Sequence, residues 1–533
     1  MLLFWPELLI NTGIVGASRT LIKDMDTAAN KRIVKNTIYL YVRMLILMLV
    51  SLYTSRIILK ILGVEDFGIY NVVGGVVVLF SFLNNALAGA TQRFLNYEIG
   101  IGEGNKLKLV FSSSIFAHVL IIAGIILLSE TIGLWFVSTQ LNIPEERQSV
   151  VFWVYQLSII VFCLNIIKAP YNAVLIAHEK MDFYAYFSIM EVLLKLGVVY
   201  LLLYIPYDKL ITYSTLLVGV NLLVTLSYMY YSVRKFPYSK LSLNFDKSLV
   251  RQIFNFSMWS CYGNLSNVVS THGLNFVLNA FFGVIANASM GIATQVTAAI
   301  GGFVGNFQTA VNPQLIKLYA AKNIKEMTSL IFYSSKMSFF LYFIMLSPVL
   351  LNMDYILHLW LGEVPQYASF FCQLMILDQL LFTMSGPLWV SAQASGIIKV
   401  YMLVVGTLNM ISLPLAYVFM LMGYDAGMVL CAKIIMDIIT YGYRIYYLKK
   451  NISMSIYEYM RLVAKPTMSV IIVCSPIFYV FSNFQINSIS MLVVSVVVFV
   501  SLLVIASYYI GLTRKERIFC TQTIKNKLYG RRK

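Results

Sequence analysis

The chain has 533 residues, of which 59% are hydrophobic and only 12% are charged, well below the roughly 25% of charged residues in soluble proteins. These values exclude a soluble globular protein and indicate a polytopic membrane protein without a sizeable soluble domain. The net charge of +17 would suggest nucleic-acid binding in a soluble protein, but in a membrane protein it is typical of basic cytoplasmic loops, so we expect no nucleic-acid partner.

The first residues of the chain fit neither a signal peptide nor a complete membrane span. Their apolar run is interrupted by Pro6, Glu7 and Asn11, and no charged segment precedes it. Met25 follows shortly before a basic run. We therefore expect Met25 rather than Met1 to be the functional start, with residues 1–24 dispensable or not native.

Apolar segments of membrane-helix length follow one another along the rest of the chain. About fourteen of them are long enough to cross a bilayer. They lie at 36–62, 67–92, 107–138, 149–175, 183–205, 209–234, 250–280, 285–316, 326–350, 366–393, 398–422, 425–448, 457–482 and 487–511. The sequence therefore predicts an all-α, polytopic membrane protein with about 14 transmembrane helices.

Basic residues are concentrated in alternate predicted loops and at both ends of the chain. The intervening loops contain little basic charge beyond Lys60, Arg147 and Lys209. Since basic loops stay on the cytoplasmic side, we predict cytoplasmic N- and C-termini and a multi-pass protein of the bacterial cytoplasmic (inner) membrane. The basic tail would then bind anionic membrane lipid at the cytoplasmic surface.

A weak internal repeat relates two parts of the chain at a spacing of about 220 residues, as in many transporters. Gly63 and Val64 correspond to Gly283 and Val284. Because six predicted helices separate them, the two copies would run in the same direction. The repeat predicts a cytoplasmic segment at 1–35, a six-helix lobe at 36–234, a basic cytoplasmic linker at 235–249, a second six-helix lobe at 250–448, two further helices at 449–511 and a basic cytoplasmic tail at 512–533.

Several predicted spans contain cations that lipid accepts only beside a partner or a polar cavity. Five are candidate substrate-binding residues facing such a cavity: Arg43, Arg56, Lys195, Lys336 and Lys433. Lys195 and Lys433 each have a carboxylate one helical turn away, on Glu191 and Asp437, so both could equally form internal structural pairs. Arg56 could simply extend to the membrane surface.

Acidic and neutral polar residues also occur within the predicted spans. Glu191, Asp378 and Asp437 are candidates for coupling transport to H⁺ or Na⁺, and the sequence does not distinguish the two ions. The helix at 250–280 is the most polar span, and we predict that it lines a cavity between the two lobes. Hydrogen bonding between helices is the alternative. Its cavity-facing candidates are Asn264, Asn267, His272 and Asn275.

Cations outnumber acids within the first six predicted helices. The cations are Arg43, Arg56, Lys168 and Lys195, and the acids are Glu130 and Glu191. Such a field favours a phosphate or pyrophosphate in a low-dielectric site and disfavours an organic cation. The first lobe is therefore predicted to receive an anionic substrate.

Residues that would carry catalysis or bind a metal are not grouped in the sequence. The six cysteines show no CxxC spacing and the four histidines are scattered, so we expect no metal, no cofactor and no disulfide. The predicted outer loops are short and offer only scattered carboxylates for acid–base chemistry. We therefore expect no catalytic residues and no enzyme.

Several stretches resemble the polysaccharide-biosynthesis flippases (Wzx type) of the multidrug/oligosaccharidyl-lipid/polysaccharide (MOP) exporter superfamily. They are 36–43 with 51–56, GVEDFGIYN at 63–71, ATQRF at 90–94, and APYNA at 169–173 with AHEKM at 177–181. The resemblance implies a MATE-like, V-shaped pair of six-helix lobes with two C-terminal helices.

In function, the resemblance implies a flippase. Such a protein moves a polyprenyl-pyrophosphate-linked oligosaccharide repeat unit from the cytoplasmic to the outer leaflet by alternating access, for assembly of O-antigen, capsule or exopolysaccharide. A polysaccharide polymerase would be a partner. By position, Arg43, Arg56 and Lys195 are the counterparts of the cationic residues thought to meet the pyrophosphate.

The two arginines of the first predicted helix lie at different depths and on different faces. From Asn36, at about 1.5 Å per residue, Arg43 lies roughly 10 Å into the membrane and Arg56 roughly 30 Å. The two arginines are thirteen residues apart, and at about 100° per residue their side chains therefore point in different directions from the helix. We therefore expect Arg43 to receive the head group, Lys195, Lys336 and Lys433 to lie deeper, and Arg56 to mark the exit or the membrane surface.

Three alternative functions are left open by the sequence. A lipid II flippase would also be electropositive inside. A multidrug exporter of the same superfamily would require unpaired carboxylates in the first lobe. A membrane polymerase or ligase acting on lipid-linked glycans would require catalytic groups on larger outer loops.

Overall fold

Helices form nearly all of the described chain. The structure is a computed structural model that describes residues 21–78, 81–102, 104–139, 145–242, 244–482, 488–513 and 516–517. Within these ranges there is no strand, which confirms the all-α prediction; in lipid, only a helix satisfies its own backbone hydrogen bonds. The predictions for residues 1–20 and for the tail beyond 517 lie outside the described residues.

The helices follow the apolar segments of the sequence in order. They are α1 (Leu21–Val78), α2 (Ser81–Ile101), α3 (Gly104–Leu128), α4 (Leu134–Thr139), α5 (Gln148–Ala177), α6 (Met181–Leu201), α7 (Lys209–Lys235), α8 (Lys247–Ala320), α9 (Ile324–Leu351), α10 (Met353–Leu361), α11 (Ala368–Ala394), α12 (Lys399–Leu421), α13 (Gly427–Ile452), α14 (Ile456–Tyr459), α15 (Lys465–Ser482) and α16 (Ile489–Ala506). A π-helical turn at Ser129–Gly133 joins α3 to α4, and another at Met460–Ala464 joins α14 to α15.

Eleven helical stretches of the described chain are long and apolar enough to cross a membrane, and each coincides with a predicted span. The protein is therefore a multi-pass membrane protein. The remaining predicted spans, 67–92, 250–280 and 425–448, also fall on helices. The second and third carry many polar or charged side chains, and the first includes residues 79–80, which lie outside the described ranges. The count of fourteen stays a prediction.

Helix α2 extends beyond the predicted end at residue 92, as far as Ile101. Arg93, which the sequence places in a basic loop, is consequently a buried helical residue. Its guanidinium lies 4.7 Å from the ring centroid of Phe94 and 4.8 Å from that of Tyr97. These aromatic faces attract the cation. Helix α2 therefore continues past Arg93, although hydropathy alone predicts that the span ends before this charge.

The chain divides into two compact units. The first, here the N-terminal unit, comprises Tyr39–Cys261, and the second, the C-terminal unit, comprises Tyr262–Lys533 together with Met1–Ile38. In the N-terminal unit α5 packs against α2, α3 and α7. In the C-terminal unit α11 packs against α9 and α13, α12 packs against α13, and α15 and α16 pack against α9.

The backbone repeats at the spacing that the sequence suggests. Helix α1 breaks at Gly63, with φ 81° and ψ 171°, and α8 breaks at Gly283, with φ 70° and ψ −164°. This region of φ and ψ is essentially restricted to glycine. Further on, Gly102 and Lys322 both have positive φ just after a helix ends. Each pair is separated by 220 residues, so the same helix–break–helix plan occurs twice.

The predicted linker at 235–249 is folded onto the N-terminal unit. The ring of Phe236 stacks on His178 at 4.0 Å, and Phe245 stacks on Phe116 at 4.0 Å. The backbone N–H of Asp246 donates a hydrogen bond of 3.1 Å to the hydroxyl of Ser113. Aromatic residues between the basic ones therefore fix this segment, and α8 begins directly after it, at Lys247.

Candidate functional site

Two lysines share one carboxylate inside the N-terminal unit. Glu191 on α6 accepts hydrogen bonds from Lys195, one turn further along α6, at 2.7 Å and from Lys168 on α5 at 3.1 Å. The exposed fractions of these side chains are 19% for Glu191, 16% for Lys168 and 36% for Lys195. The i,i+4 pair anticipated from the sequence forms, but the second lysine leaves the group with a net positive charge.

The connection between α5 and α6 explains why Lys168 and Glu191 meet. A turn at 178–180 joins the two helices. Lys168 lies nine residues before Ala177, and Glu191 lies ten residues after Met181. At about 1.5 Å per residue, both therefore lie about 14–15 Å from this turn along antiparallel helices.

Arg43 belongs to the same part of the N-terminal unit. Its guanidinium lies 4.4 Å from the centroid of the Tyr184 ring on α6, an attractive cation–π contact. Among the described residues it has no acidic partner, and its Nε has no hydrogen-bond acceptor. Tyr184 precedes Glu191 by seven residues, hence two turns, on the same face of α6. Arg43, Lys168, Glu191 and Lys195 form what we term the cationic cluster: three cations and one carboxylate.

The C-terminal unit contains a second group of charged residues, in which carboxylates outnumber cations. Lys433 on α13 contacts Asp378 on α11, and it donates a hydrogen bond of 2.7 Å to Asp437, one turn further along α13. Asp378 is buried, with 8% of its side chain exposed, whereas Lys433 and Asp437 expose 22% and 24%. We term these three residues the acidic cluster, because two carboxylates surround one ammonium group.

Lys336, a predicted substrate-binding cation, lies in a buried ion pair. Its Nζ is 2.7 Å from both carboxylate oxygens of Glu516, a residue beyond α16. Only 3% of the lysine side chain and 9% of the glutamate side chain are exposed. A separation of 180 residues hides this partner from any reading of local sequence. The charge of Lys336 is thus already neutralised within the C-terminal unit.

The remaining predicted site residues belong to neither the cationic nor the acidic cluster. Arg56 is exposed on α1, with no ion pair among the described residues. On α8, Asn267 and His272 are exposed and Asn264 and Asn275 are half-buried. None of these four polar side chains has a hydrogen-bond partner among the described residues, and the Oδ1 atom of Asn275 is buried without one.

Two further arginines, which the sequence does not single out, contact residues that are distant in the sequence. Arg444 is 6% exposed; it donates a hydrogen bond of 2.6 Å to Ser385 and lies 5.3 Å from the Trp389 ring. Arg147 bridges Asp66 at 2.8 Å and Asp208 at 2.5 Å. Both arginines read as loop or helix-end cations in the sequence, so only a search for matching aromatic or acidic partners could have signalled them.

Asp208 caps the start of α7 as well as pairing with Arg147. Its carboxylate accepts hydrogen bonds of 3.0 Å from the backbone amides of Leu210 and Ile211. Partial burial opposes ionisation, but the hydrogen bonds from Ile211, Arg147 and Leu210 together outweigh it and hold the pKa of the Asp208 carboxyl below its ordinary value. The ion-paired residues Asp66, Arg147 and Asp208 therefore hold three helix ends together on one side of the N-terminal unit.

These clusters offer charge for binding rather than groups placed for covalent chemistry. No set of three or more His, Cys, Asp or Glu side chains in the described part of the chain could hold a metal ion. The cationic cluster can attract an anion, and the acidic cluster can attract a cation that displaces or accompanies Lys433.

Comparisons with known proteins agree on the fold and on the family. The family model described as "Polysaccharide biosynthesis protein" matches residues 33–319, and the model described as "MatE" matches residues 260–418. An uncharacterised membrane protein, EpsK, from Bacillus subtilis (strain 168) is 22% identical over 290 residues, which are 54% of this chain and 56% of that protein. The alignment thus spans little more than half of the curated relative.

Solved structures of transporters superpose on most of the chain. An outward-facing multidrug resistance MATE family transporter of the MOP superfamily has a TM-score of 0.70 and 15% identity over 80% of this chain and 96% of its own. A MOP superfamily transporter from Pyrococcus furiosus Vc1 (DSM3638), described as having a binding pocket of reverse polarity, has a TM-score of 0.68 with the same identity and coverage. At this identity the similarity shows the fold: the chain is MATE-like.

Proposed function

Because the chain belongs to the polysaccharide biosynthesis protein family, we propose that it flips a lipid-linked sugar across a membrane. The substrate is a polyprenyl-pyrophosphate-linked oligosaccharide repeat unit, carried by alternating access from the cytoplasmic to the outer leaflet of the bacterial inner membrane. The flipped unit then serves assembly of O-antigen, capsule or exopolysaccharide. A membrane polysaccharide polymerase, which would consume the flipped unit, is the natural partner.

The positive balance of the cationic cluster is the observation that carries this proposal. Lys168 and Lys195 share a single carboxylate, and Arg43 has an aromatic ring but no acid beside it among the described residues. A pyrophosphate can replace the missing negative charge, and in a low-dielectric site each charge-assisted hydrogen bond contributes about 1.5–3 kcal/mol. An organic cation would be repelled there.

Arg43 and the two lysines have different roles in this proposal. Tyr184, which Arg43 covers, lies three residues into α6, close to the turn at 178–180. Arg43 would therefore meet the head group first, near the cytoplasmic surface. Lys195 lies fourteen residues into α6, about 21 Å along the helix, and would hold the head group deeper in the membrane. Arg56, further along α1 and exposed, would mark the exit.

The acidic cluster supports a separate role for the C-terminal unit. Asp378 and Asp437 surround Lys433, and the excess carboxylate is suited to a proton or a sodium ion rather than to a pyrophosphate. We therefore assign Asp378 and Asp437 to ion coupling, with Lys433 controlling their charge. Glu191 has the same capacity in the N-terminal unit, where two lysines compete for it.

Lipid-linked glycans in a strain that lacks the gene provide the test. We expect repeat units to accumulate on the cytoplasmic leaflet, measured by extracting the glycans and by their accessibility to a membrane-impermeant sugar-modifying enzyme. Repeat units that reach the outer leaflet normally but stay unpolymerised would refute the flippase and indicate a polymerase or ligase. Loss of lipid II translocation, or of drug efflux, would identify the other exporters of the superfamily.

A further inference from the structure

The stretch of α8 between Tyr262 and Gly283 presents three chemically different faces. Its packed face contacts α12: the Tyr262 hydroxyl lies 3.2 Å from Thr407 Oγ1, and Ser270 Oγ lies 2.7 Å from Ser412 Oγ. Gly273 completes this face, because a Cβ there would lie 2.5 Å from the Leu413 side chain. The orientation of the helix relative to α12 is therefore fixed.

The second face is apolar and exposed. Leu265, Val268 and Val269 expose 39–43% of their surface, and Phe276 exposes 76%. His272 lies among them on this side of the helix. These side chains are suited to lipid, so α8 already has a lipid-compatible face.

The third face carries three amides without partners, together with Thr271 and the fully buried Leu278. Asn264, Asn267 and Asn275 lie within about 80° of one another at 100° per residue, on an arc separate from both other faces. We term them the asparagine stripe. None of the three side chains has a hydrogen-bond partner among the described residues. Thr271, which lies between them, donates instead to the backbone carbonyl of Asn267 at 2.9 Å.

Unpartnered amides in this predicted span require a polar occupant, since each unsatisfied group in hydrocarbon is strongly unfavourable. The stripe contains no carboxylate and no cation, so neither a metal ion nor a phosphate is its natural ligand. Each amide both donates and accepts hydrogen bonds, which matches a sugar, whose hydroxyl groups do the same. The stripe extends over about 17 Å, the length of an oligosaccharide rather than of one ring.

We infer that the asparagine stripe binds the oligosaccharide of the substrate, separately from the pyrophosphate. The inference rests on the proposed flippase function and divides its substrate by chemistry. The uncharged glycan hydrogen-bonds to Asn264, Asn267 and Asn275, whereas the diphosphate is the ligand proposed above for the cationic cluster. Binding strength would then depend on the sugar through the stripe and on the lipid head through the lysines.

Binding of two lipids to the full chain in lipid nanodiscs tests this division. One probe is polyprenyl pyrophosphate without sugar; the other is the polyprenyl-pyrophosphate-linked glycan extracted from a strain lacking the gene. In the triple variant Asn264→Leu, Asn267→Leu, Asn275→Leu, we expect roughly tenfold or greater weakening for the glycan lipid, from the loss of several hydrogen bonds, and less than twofold for the sugar-free lipid. Leucine suits a membrane helix, so folding should persist.

Control variants separate the possible failures. Asn306→Leu removes an asparagine of the same helix whose amide already donates to the Gly302 carbonyl at 2.9 Å, and it should leave the preference for the glycan lipid unchanged. Lys195→Met should weaken the binding of both lipids. Equal affinities of the triple variant and the wild type for the glycan lipid would overturn the sugar site and leave the flippase standing. If the wild type binds neither lipid, the proposed function fails, and the stripe loses its ligand with it.

Discussion

Lys336 on α9 and Glu516 beyond α16 form a two-pronged ion pair, with both carboxylate oxygens 2.7 Å from the ammonium nitrogen. Glu516 also accepts a hydrogen bond of 2.7 Å from the backbone amide of Thr513. The pair thus attaches the segment after the last helix to the interior of the C-terminal unit. Replacing one partner of such a buried pair strongly destabilises a protein, because the other charge is then buried without a partner.

We expect Lys336→Met to destabilise the protein by about 3–5 kcal/mol, the usual consequence of leaving a buried charge without its partner. The double variant Lys336→Met, Glu516→Gln should recover most of this loss. Thermal unfolding of the detergent-solubilised protein measures both, with Lys325→Met, at an exposed position of the same helix, as the control. A stable double variant that no longer transports would show that the Lys336–Glu516 pair serves transport and not only stability.

Arg43→Ala should reduce flipping about ten- to a hundredfold, which corresponds to the loss of one charge-assisted contact of about 1.5–3 kcal/mol. The amount of folded protein should stay near that of the wild type, because Arg43 has no acid to strand among the described residues. Flipping in proteoliposomes measures the effect. Unchanged flipping would reduce Arg43 to a structural contact of Tyr184.

Lys433→Met leaves Asp378 and Asp437 facing each other without their shared cation. We expect a lower unfolding temperature than in the wild type, and partial recovery on adding Asp378→Asn, since that change removes the like-charge repulsion. Unfolding with and without NaCl, against KCl at equal ionic strength, would reveal whether sodium replaces the ammonium group. A variant as stable as the wild type would show that the acidic cluster tolerates two unpaired carboxylates.

The lowered pKa of Asp208 predicts a specific acid sensitivity. A carboxylate with a depressed folded-state pKa stabilises the protein at pH above its unfolded value of about 3.9, and this stabilisation is lost as pH falls through the folded value. Because the group is about a third exposed, the effect should stay within about 1 kcal/mol. Asp208→Asn should flatten the fall of unfolding temperature below pH 4; an unchanged slope would assign the acid sensitivity to other groups.

Gly283→Ala should destabilise the protein by about 1–3 kcal/mol, since the backbone there has a φ and ψ that only glycine adopts readily. A Cβ at this position would meet no atom within 4 Å, so the effect would be one of backbone strain alone. Gly291→Ala is the matched control: it lies in a helical part of α8 with equally open surroundings, where alanine should be neutral or stabilising. Equal stability of both variants would exclude strain at the break.

Local patterns in the sequence were sufficient for the helices and for pairs one turn apart. Apolar length predicted the spans, and i,i+4 spacing predicted the contacts of Lys195 with Glu191 and of Lys433 with Asp437. The third member of each cluster, Lys168 or Asp378, comes from another helix. Its contact depends on which helices pack together, and one sequence carries little information on that.

The same limit explains Lys336 and Arg93. Without an acid nearby in sequence, Lys336 read as a free cation, but chain folding brings Glu516 to it. Arg93 read as a loop residue because hydropathy ends a helix at a charge, whereas the Phe94 and Tyr97 rings accommodate this one inside α2. Partners that are distant in sequence, or aromatic rather than acidic, leave no local signal.

The two glycine breaks show that one backbone plan supports two different chemistries. Counting from Gly63 and Gly283, the position that corresponds to Arg43 is Gly263 in the second copy. A Cβ at Gly263 would lie 3.0 Å from Met402 Sδ and 3.7 Å from the Trp389 ring. Close packing therefore occupies this position in the second copy, and a larger side chain there would require the Met402 and Trp389 side chains to move. The two copies of the backbone plan thus differ in chemistry at this position: the first has a cation, Arg43, on an aromatic ring, and the second has a closely packed glycine, Gly263.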